Sequence, residues 1–209
     1  MNVQQFRKIL MKYFRKMGFL ILNGSFLISV NQVMAMQEPR DLYDFTHQET
    51  SGVWMIVNDG VMGGISESRL SLDQQGFLVF EGRVSLDYGG GFASVRSILN
   101  RLDADSYDGI LIRFKGDGKR YQLRLRQGDR MDGVAYFRHF ETKIGEWEEV
   151  FLPFHSFQAS YRGRRLPDYP KLDTTRISQL GLMISDKQEG NFRLEVQRIA
   201  LYFNEHFQT

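Results

Sequence analysis

Cysteine is absent from these 209 residues. That excludes disulfide staples, a thiol nucleophile and thiolate metal sites together. Histidine is scarce, and His47, His139, His155 and His206 stand far apart. No His-x-x-x-His or Glu-x-x-His occurs on a helical pattern, so the common catalytic zinc layout is missing. Gly-x-Ser-x-Gly is absent, which leaves no serine in a nucleophile-elbow setting. EF-hand spacing is absent too. Sustained helical periodicity is missing from Leu42 onward. The longest apolar block, Gly18 to Val30, is interrupted by Asn23, Gly24 and Ser25, and falls short of the ~20 residues a membrane span needs.

Charge is unevenly placed. The 27 lysines and arginines include Arg7, Lys8, Lys12, Arg15 and Lys16 in a leader that holds no acid, which leaves 22 against 25 acidic residues in the body. The body is therefore mildly acidic, and nucleic acid is not an expected partner. The leader is basic, then apolar, and ends in "VMA" at Ala35. That is the layout of a secretory signal, so cleavage after Ala35 and export to a periplasm or beyond are expected. The rival reading is an organellar transit peptide, because the leader is basic and free of acids. Residues 36–209 are expected to form one domain.

What is abundant is alternation. Gly109–Asp129, around "KGDGKR", alternates cleanly and Phe77–Leu86 in part; Gly145–Phe154, Ile177–Asp186 and Phe192–Phe203 read the same way between turn residues, and "ISESRLSL" reads as another strand. With 17 Phe and 9 Tyr, this predicts an all-β antiparallel sandwich of jelly-roll type. "KGDGKR" between two alternating runs predicts a hairpin of 109–115 with 121–126. "SFQASYRGRRLPDYPKLD" is expected to be a long loop.

Two glycine-rich stretches, "NDGVMGGISES" and "LDYGGGFASVRS", invite a phosphate-cradle reading. Neither has the Lys-Ser/Thr of a phosphate loop or the spacing and helix of a dinucleotide fingerprint, so no cofactor is expected. Positive φ at tight corners is the plain expectation, including at Gly63, Gly64 and Gly90. The sharper one is a backbone that a ligand or partner approaches closely.

These stretches, with "YDGILIRFKGDGKRYQLRLR", "EWEEVFLPFHSF" and "LGLMISDKQEGNFRLEVQRI" in the same order, resemble the complex I intermediate-associated protein 30 family over nearly all of Asp41–Asn204. The resemblance implies a galactose-binding-like sandwich and no enzyme activity. It implies a role in assembling respiratory NADH:ubiquinone oxidoreductase, with Asp59, Gly63, Gly64, Ser66, Gly89, Gly90, Gly91, Ser94, Arg96 and Asp186 at the motif positions. Export would set the chain across the membrane from the peripheral arm of a bacterial complex, so the two expectations compete.

Pleat alternation adds Arg113, Arg124 and Arg126. If their strands pair, the three guanidiniums share one outer surface, balanced in part by Asp59, Glu81 or Asp186 and extended by "SYRGRR" and Tyr169. A protein partner is the first expectation for that surface. An exported carbohydrate-binding module is the second, with Trp54 and Trp147 as candidate sugar-stacking rings.

Overall fold

The structure is a computed structural model that describes residues 39–47, 53–128, 130 and 132–203. Contacts divide the chain between Gln37 and Glu38, and everything described lies in the second unit. The leader and its expected cleavage site lie outside the described residues.

The alternating stretches become strands β1 (Arg40–Asp44), β2 (Trp54–Ile56), β3 (Glu67–Leu72), β4 (Leu78–Val84), β5 (Ala93–Leu102), β6 (Gly109–Lys115) and β7 (Arg120–Gln127). They continue with β8 (Ala135–Glu141), β9 (Trp147–Pro153), β10 (Gln158–Tyr161), β11 (Arg164–Arg165), β12 (Ile177–Ile184) and β13 (Gly190–Tyr202). Sheet one runs β3-β4-β13-β6-β9, with β1 also on β13. Sheet two runs β11-β10-β8-β7-β12-β5-β2. All named strand pairs are antiparallel, as the sequence predicts.

Period-two burial makes the core. Ile110, Ile112 and Phe114 of β6 face Leu123, Leu125 and Tyr121 of β7 and Leu180, Leu182 and Ile184 of β12 from across the sandwich, all fully buried. Each such side chain contributes roughly 1.5–3 kcal/mol on leaving water. Trp54 caps one end against Tyr43 and Phe45. Trp147 packs on Phe77, with Arg113 and Lys115 over its ring.

Two expectations are corrected. First, β6 and β7 do not pair. β6 lies between β13 and β9, and β7 between β12 and β8. "KGDGKR" carries the chain from one sheet to the other. Asp117 anchors this crossover, accepting hydrogen bonds from the Tyr121 hydroxyl and from the amides of Lys119 and Arg193. Second, the stretch after Ser156 is not a plain loop. β10 and β11 form a hairpin whose two turn residues, Arg162 (φ 47°) and Gly163 (φ 79°), supply the paired positive φ of a type I′ turn.

Candidate functional site

The glycine stretches fold around one carboxylate. Asp59 opens a short 3-10 turn, Asp59–Met62, and is fully buried. Its Oδ1 accepts from the Ser66 amide (2.9 Å). Its Oδ2 accepts from the Ser66 hydroxyl (2.5 Å), the Gly91 amide (2.7 Å) and the Phe92 amide (3.2 Å). Burial disfavours the charge, but these donors outweigh it and hold Asp59 below the usual carboxylate range. Nearby, Asn58 Oδ1 accepts from the Ser68 hydroxyl and the Ser94 amide, and the Ser94 hydroxyl donates to the Val57 carbonyl.

The glycines serve this arrangement in two ways. Gly63 (φ 93°) takes positive φ as expected, and so do Gly89 (φ 75°) and Gly91 (φ 128°), which the sequence did not single out. Gly64 and Gly90 do not. A Cβ on Gly64 would lie 2.5 Å from Asp59 Cγ, and one on Gly90 2.7 Å from Asp59 Oδ2. They are glycines because the carboxylate leaves no room. Asp59 thus balances no arginine. Glu81 does not balance the β7 arginines either, since it pairs with Arg69 and Arg193.

The three pleat arginines are not on one surface. Arg113 lies on the outer face of sheet one and donates to Gln197 Oε1 (2.6 Å). Arg124 and Arg126 lie on the outer face of sheet two, because β6 and β7 are in different sheets. Their companion is Arg96 of β5. Gly181 of β12 pairs with Arg124 on one side and Arg96 on the other, and its missing side chain leaves space between them.

That space is a groove of about 470 Å³. Arg96, Arg124 and Arg126 form its floor. Val61 and Met62 of the Asp59 turn form one wall, and Tyr161 with the Arg162–Gly163 turn forms the other. Gln122, Ser160 and Gln179 are buried polar residues on this outer face. Arg124 donates to Gln122 Oε1 (2.7 Å) and Ser160 Oγ (3.3 Å), and lies over the Phe137 ring. Arg96 reaches Asp132 at 3.3 Å. Burial and then the neighbouring Arg96 bring Arg124 down to about 10. Burial, Arg96 and Arg124 bring Arg126 down to about 9. Both stay cationic at neutral pH.

Asp186 (φ 62°) stands beyond the groove, bound to His139 Nε2 (2.9 Å) and Arg120 (3.1 Å). The same His139 nitrogen also meets Gln122 (3.2 Å). Among the described residues no three His, Asp or Glu side chains gather as a metal-ligand set. The sequence reading missed Gln122, Phe137, Ser160 and Asp132. Alternation along β7 marks Gln122 as outward-facing with Arg124. Ser160 and Phe137 carry no comparable signal, because β8 and β10 were not foreseen as strands.

Residues 43–196 match the family model described as Complex I intermediate-associated protein 30. The chain belongs to that family. A mouse protein named "Complex I intermediate-associated protein 30, mitochondrial" is 25% identical over 197 residues, covering 82% of this chain and 58% of the mouse protein. A Caenorhabditis elegans protein named as a probable member is 29% identical over 185 residues, covering 79% and 54%. The chain thus spans little more than half the length of these two relatives.

Among solved structures, the family 11 carbohydrate-binding module of a Clostridium thermocellum cellulosomal cellulase superposes with a TM-score of 0.61. It is 17% identical, with 82% of this chain and 98% of the module covered. An agarase superposes with a TM-score of 0.53 at 12% identity, covering 80% and 25%. These likenesses establish the sandwich fold.

Membership in the Complex I intermediate-associated protein 30 family corrects the expectation of export. The mouse, nematode and Drosophila melanogaster relatives are all named mitochondrial, which points to a mitochondrial rather than an exported location. A basic, acid-free leader is shared by secretory and organellar signals, and the sequence reading chose the wrong one. With export set aside, the conflict with an assembly role falls away.

Proposed function

We propose that this chain is a non-catalytic binding domain for assembly of respiratory complex I, and that it takes a protein partner in the groove on sheet two. Family membership supports the assembly role, since the relatives are named as proteins associated with an intermediate of complex I. The observation that carries the choice of surface is the wall above the arginine floor. Val61 is 73% exposed, Met62 59% and Tyr161 41%. Exposed apolar side chains held on a built turn mark interaction surfaces, and Met, Tyr and Arg are the types enriched at the centres of protein interfaces.

The reading as a binding domain fits the chemistry of the groove. Its floor offers guanidiniums, amides and hydroxyls, and the Ser160 hydroxyl there meets the Arg124 guanidinium and the Ala135 carbonyl rather than a base. Neutral sugar would need an open aromatic platform. Phe137 lies beneath Arg124 and Arg165, so the groove favours a partner that brings its own polar and apolar side chains.

The test replaces Met62 by Asp in cells that depend on this chain. Met62 is mostly exposed, so the melting temperature of the purified variant should stay within about 2 °C of wild type, as for surface changes generally. Capture of the complex I intermediate should weaken roughly 30-fold, the loss expected from an interface hot spot of about 2 kcal/mol. Incomplete complex should then accumulate on native gels. Normal assembly in cells carrying only Met62→Asp would remove the groove wall from the interface.

A further inference from the structure

Charge on the groove floor is unbalanced in a specific way. Arg96 has Asp132 beside it. Asp186, the carboxylate next in reach of Arg124, is bound to His139 and Arg120. Among the described residues Arg124 donates to Gln122 and Ser160, both neutral acceptors. Arg126 forms no ion pair among the described residues, and its Nε is buried without a hydrogen-bond partner. Two guanidiniums are therefore held near one another, half-buried, with Asp186 and Asp132 acting on them only at longer range and no carboxylate ion-paired to either among the described residues. Like charges repel more strongly away from bulk water, so each guanidinium raises the cost of the other. An outer strand face that needed only solubility would be served by Lys or Thr, whereas adjacent Arg forks suit planar or tetrahedral oxyanions.

We infer that Arg124 and Arg126 form an oxyanion site that takes a phosphoryl dianion, with the Ser160 hydroxyl beside it. Charge decides between oxyanions. A phosphoryl monoester carries about −1.5 to −2 at neutral pH and matches two guanidiniums, whereas one carboxylate leaves a positive charge uncompensated. Charge-assisted bonds of this kind are about twice as strong as neutral ones. The groove volume of about 470 Å³ lies in the range of small-ligand sites, which combine apolar walls with a few placed polar groups. Val61, Met62 and Tyr161 supply those walls. The phosphoryl group can come from a soluble phosphomonoester or from a phosphomonoester lipid headgroup. The inference rests on the groove as the working surface, but not on a protein partner.

The experiment titrates the full purified chain with phenyl phosphate, inorganic phosphate and benzoate by calorimetry. Phenyl phosphate should bind, and benzoate at least about tenfold more weakly, because it carries a single charge. Affinity for phenyl phosphate should rise as pH increases through about 6, where the second phosphoryl proton leaves. Arg126→Gln and Arg124→Gln should each weaken binding by about tenfold or more. Arg113→Gln, on the opposite face, should change nothing.

Melting curves of each variant identify any loss caused by unfolding, and the benzoate and pH arms need no variant at all. Sedimentation with phosphatidic acid vesicles, against phosphatidylcholine alone, assigns the source. Binding to the vesicles names the lipid headgroup, and binding to phenyl phosphate alone names a soluble ligand. The inference is overturned if the wild-type chain gives no phosphate signal at millimolar concentration. Equal binding of benzoate, a flat pH profile, or unchanged affinity in both Gln variants would overturn it as well. Because phosphate binding is measured on the purified chain and assembly is measured in cells with Met62→Asp, either reading can fail while the other stands.

Discussion

Replacing Asp59 by Ala should lower stability by about 4 kcal/mol, because it strips the acceptor from three backbone amides and leaves the Ser66 hydroxyl only the longer bond to the Ser85 carbonyl (3.3 Å). The Ser66 amide and hydroxyl and the amides of Gly91 and Phe92 all point at this carboxylate. For a chain of this size, the melting temperature should fall by roughly 10 °C. The effect has a pH signature with a definite sign. The folded-state pKa of Asp59 is depressed, so its contribution is fully present above the unfolded value of about 3.9. It is lost as pH falls through the lower, folded value. Thermal melts of wild type and variant should therefore differ by a constant gap from pH 5 to 8, and the gap should narrow as pH approaches 2. A variant that melts with wild type at neutral pH, or a gap that stays constant into acid, would show that Asp59 is not the anchor.

The next largest effect is expected at Gly64 and Gly90. A Cβ at Gly64 would meet Asp59 Cγ at 2.5 Å and Gly90 Cα at 2.8 Å. One at Gly90 would meet Asp59 Oδ2 at 2.7 Å and the Ser85 carbonyl at 2.8 Å. Each Ala substitution should cost about 3 kcal/mol, at the upper end of overpacking, because the obstacle is backbone and a bound carboxylate. Gly63→Ala makes the control. Its φ is +93° with open space around it, so only backbone strain applies, about 1 kcal/mol. Denaturant melts of the three variants should rank Gly63→Ala as the mildest. In an Asp59→Ala background the added cost of Gly64→Ala should shrink but not vanish, since the Asp59 atoms it strikes are gone while Gly90 Cα at 2.8 Å remains. Equal costs at all three glycines would mean that conformation, not crowding, selects them.

The fold was legible because alternation reports directly which side chains face a core, and Ile110–Phe114 and Tyr121–Arg126 alternate cleanly. Partners were less legible. Alternation assigns a face, not a neighbour, and the pairs that place Arg124 beside Gly181 and Arg96 come from strands distant in sequence. A Gly-Asp-Gly turn between two good strands suits a hairpin, yet here other strands take both edges of each. β6 takes β13 and β9, and β7 takes β12 and β8. That single difference splits Arg113 from the other two arginines. The Asp59 arrangement was half legible. Its residues stand in the two glycine stretches, but nothing local shows that an aspartate at one would accept amides from the other, 32 residues away. The groove residues on β8 and β10 were out of reach, because those strands were not expected.

Binding surfaces are usually drawn from the least stable parts of a protein, where backbone amides open to solvent easily. The Val61–Met62 wall, the proposed surface, breaks that pattern. It hangs on Asp59, and two of the three amides that grip Asp59 belong to the turn before β5. Opening the wall therefore means breaking a link between two chain segments and stranding a buried carboxylate. The amides of Gly91 and Phe92 lie outside every strand, so by secondary structure alone they would exchange with deuterium quickly. Their shared acceptor should slow them to the rate of the neighbouring sheet. At the proposed groove, a ligand would meet a surface already in its bound shape, with little chain entropy left to lose on contact.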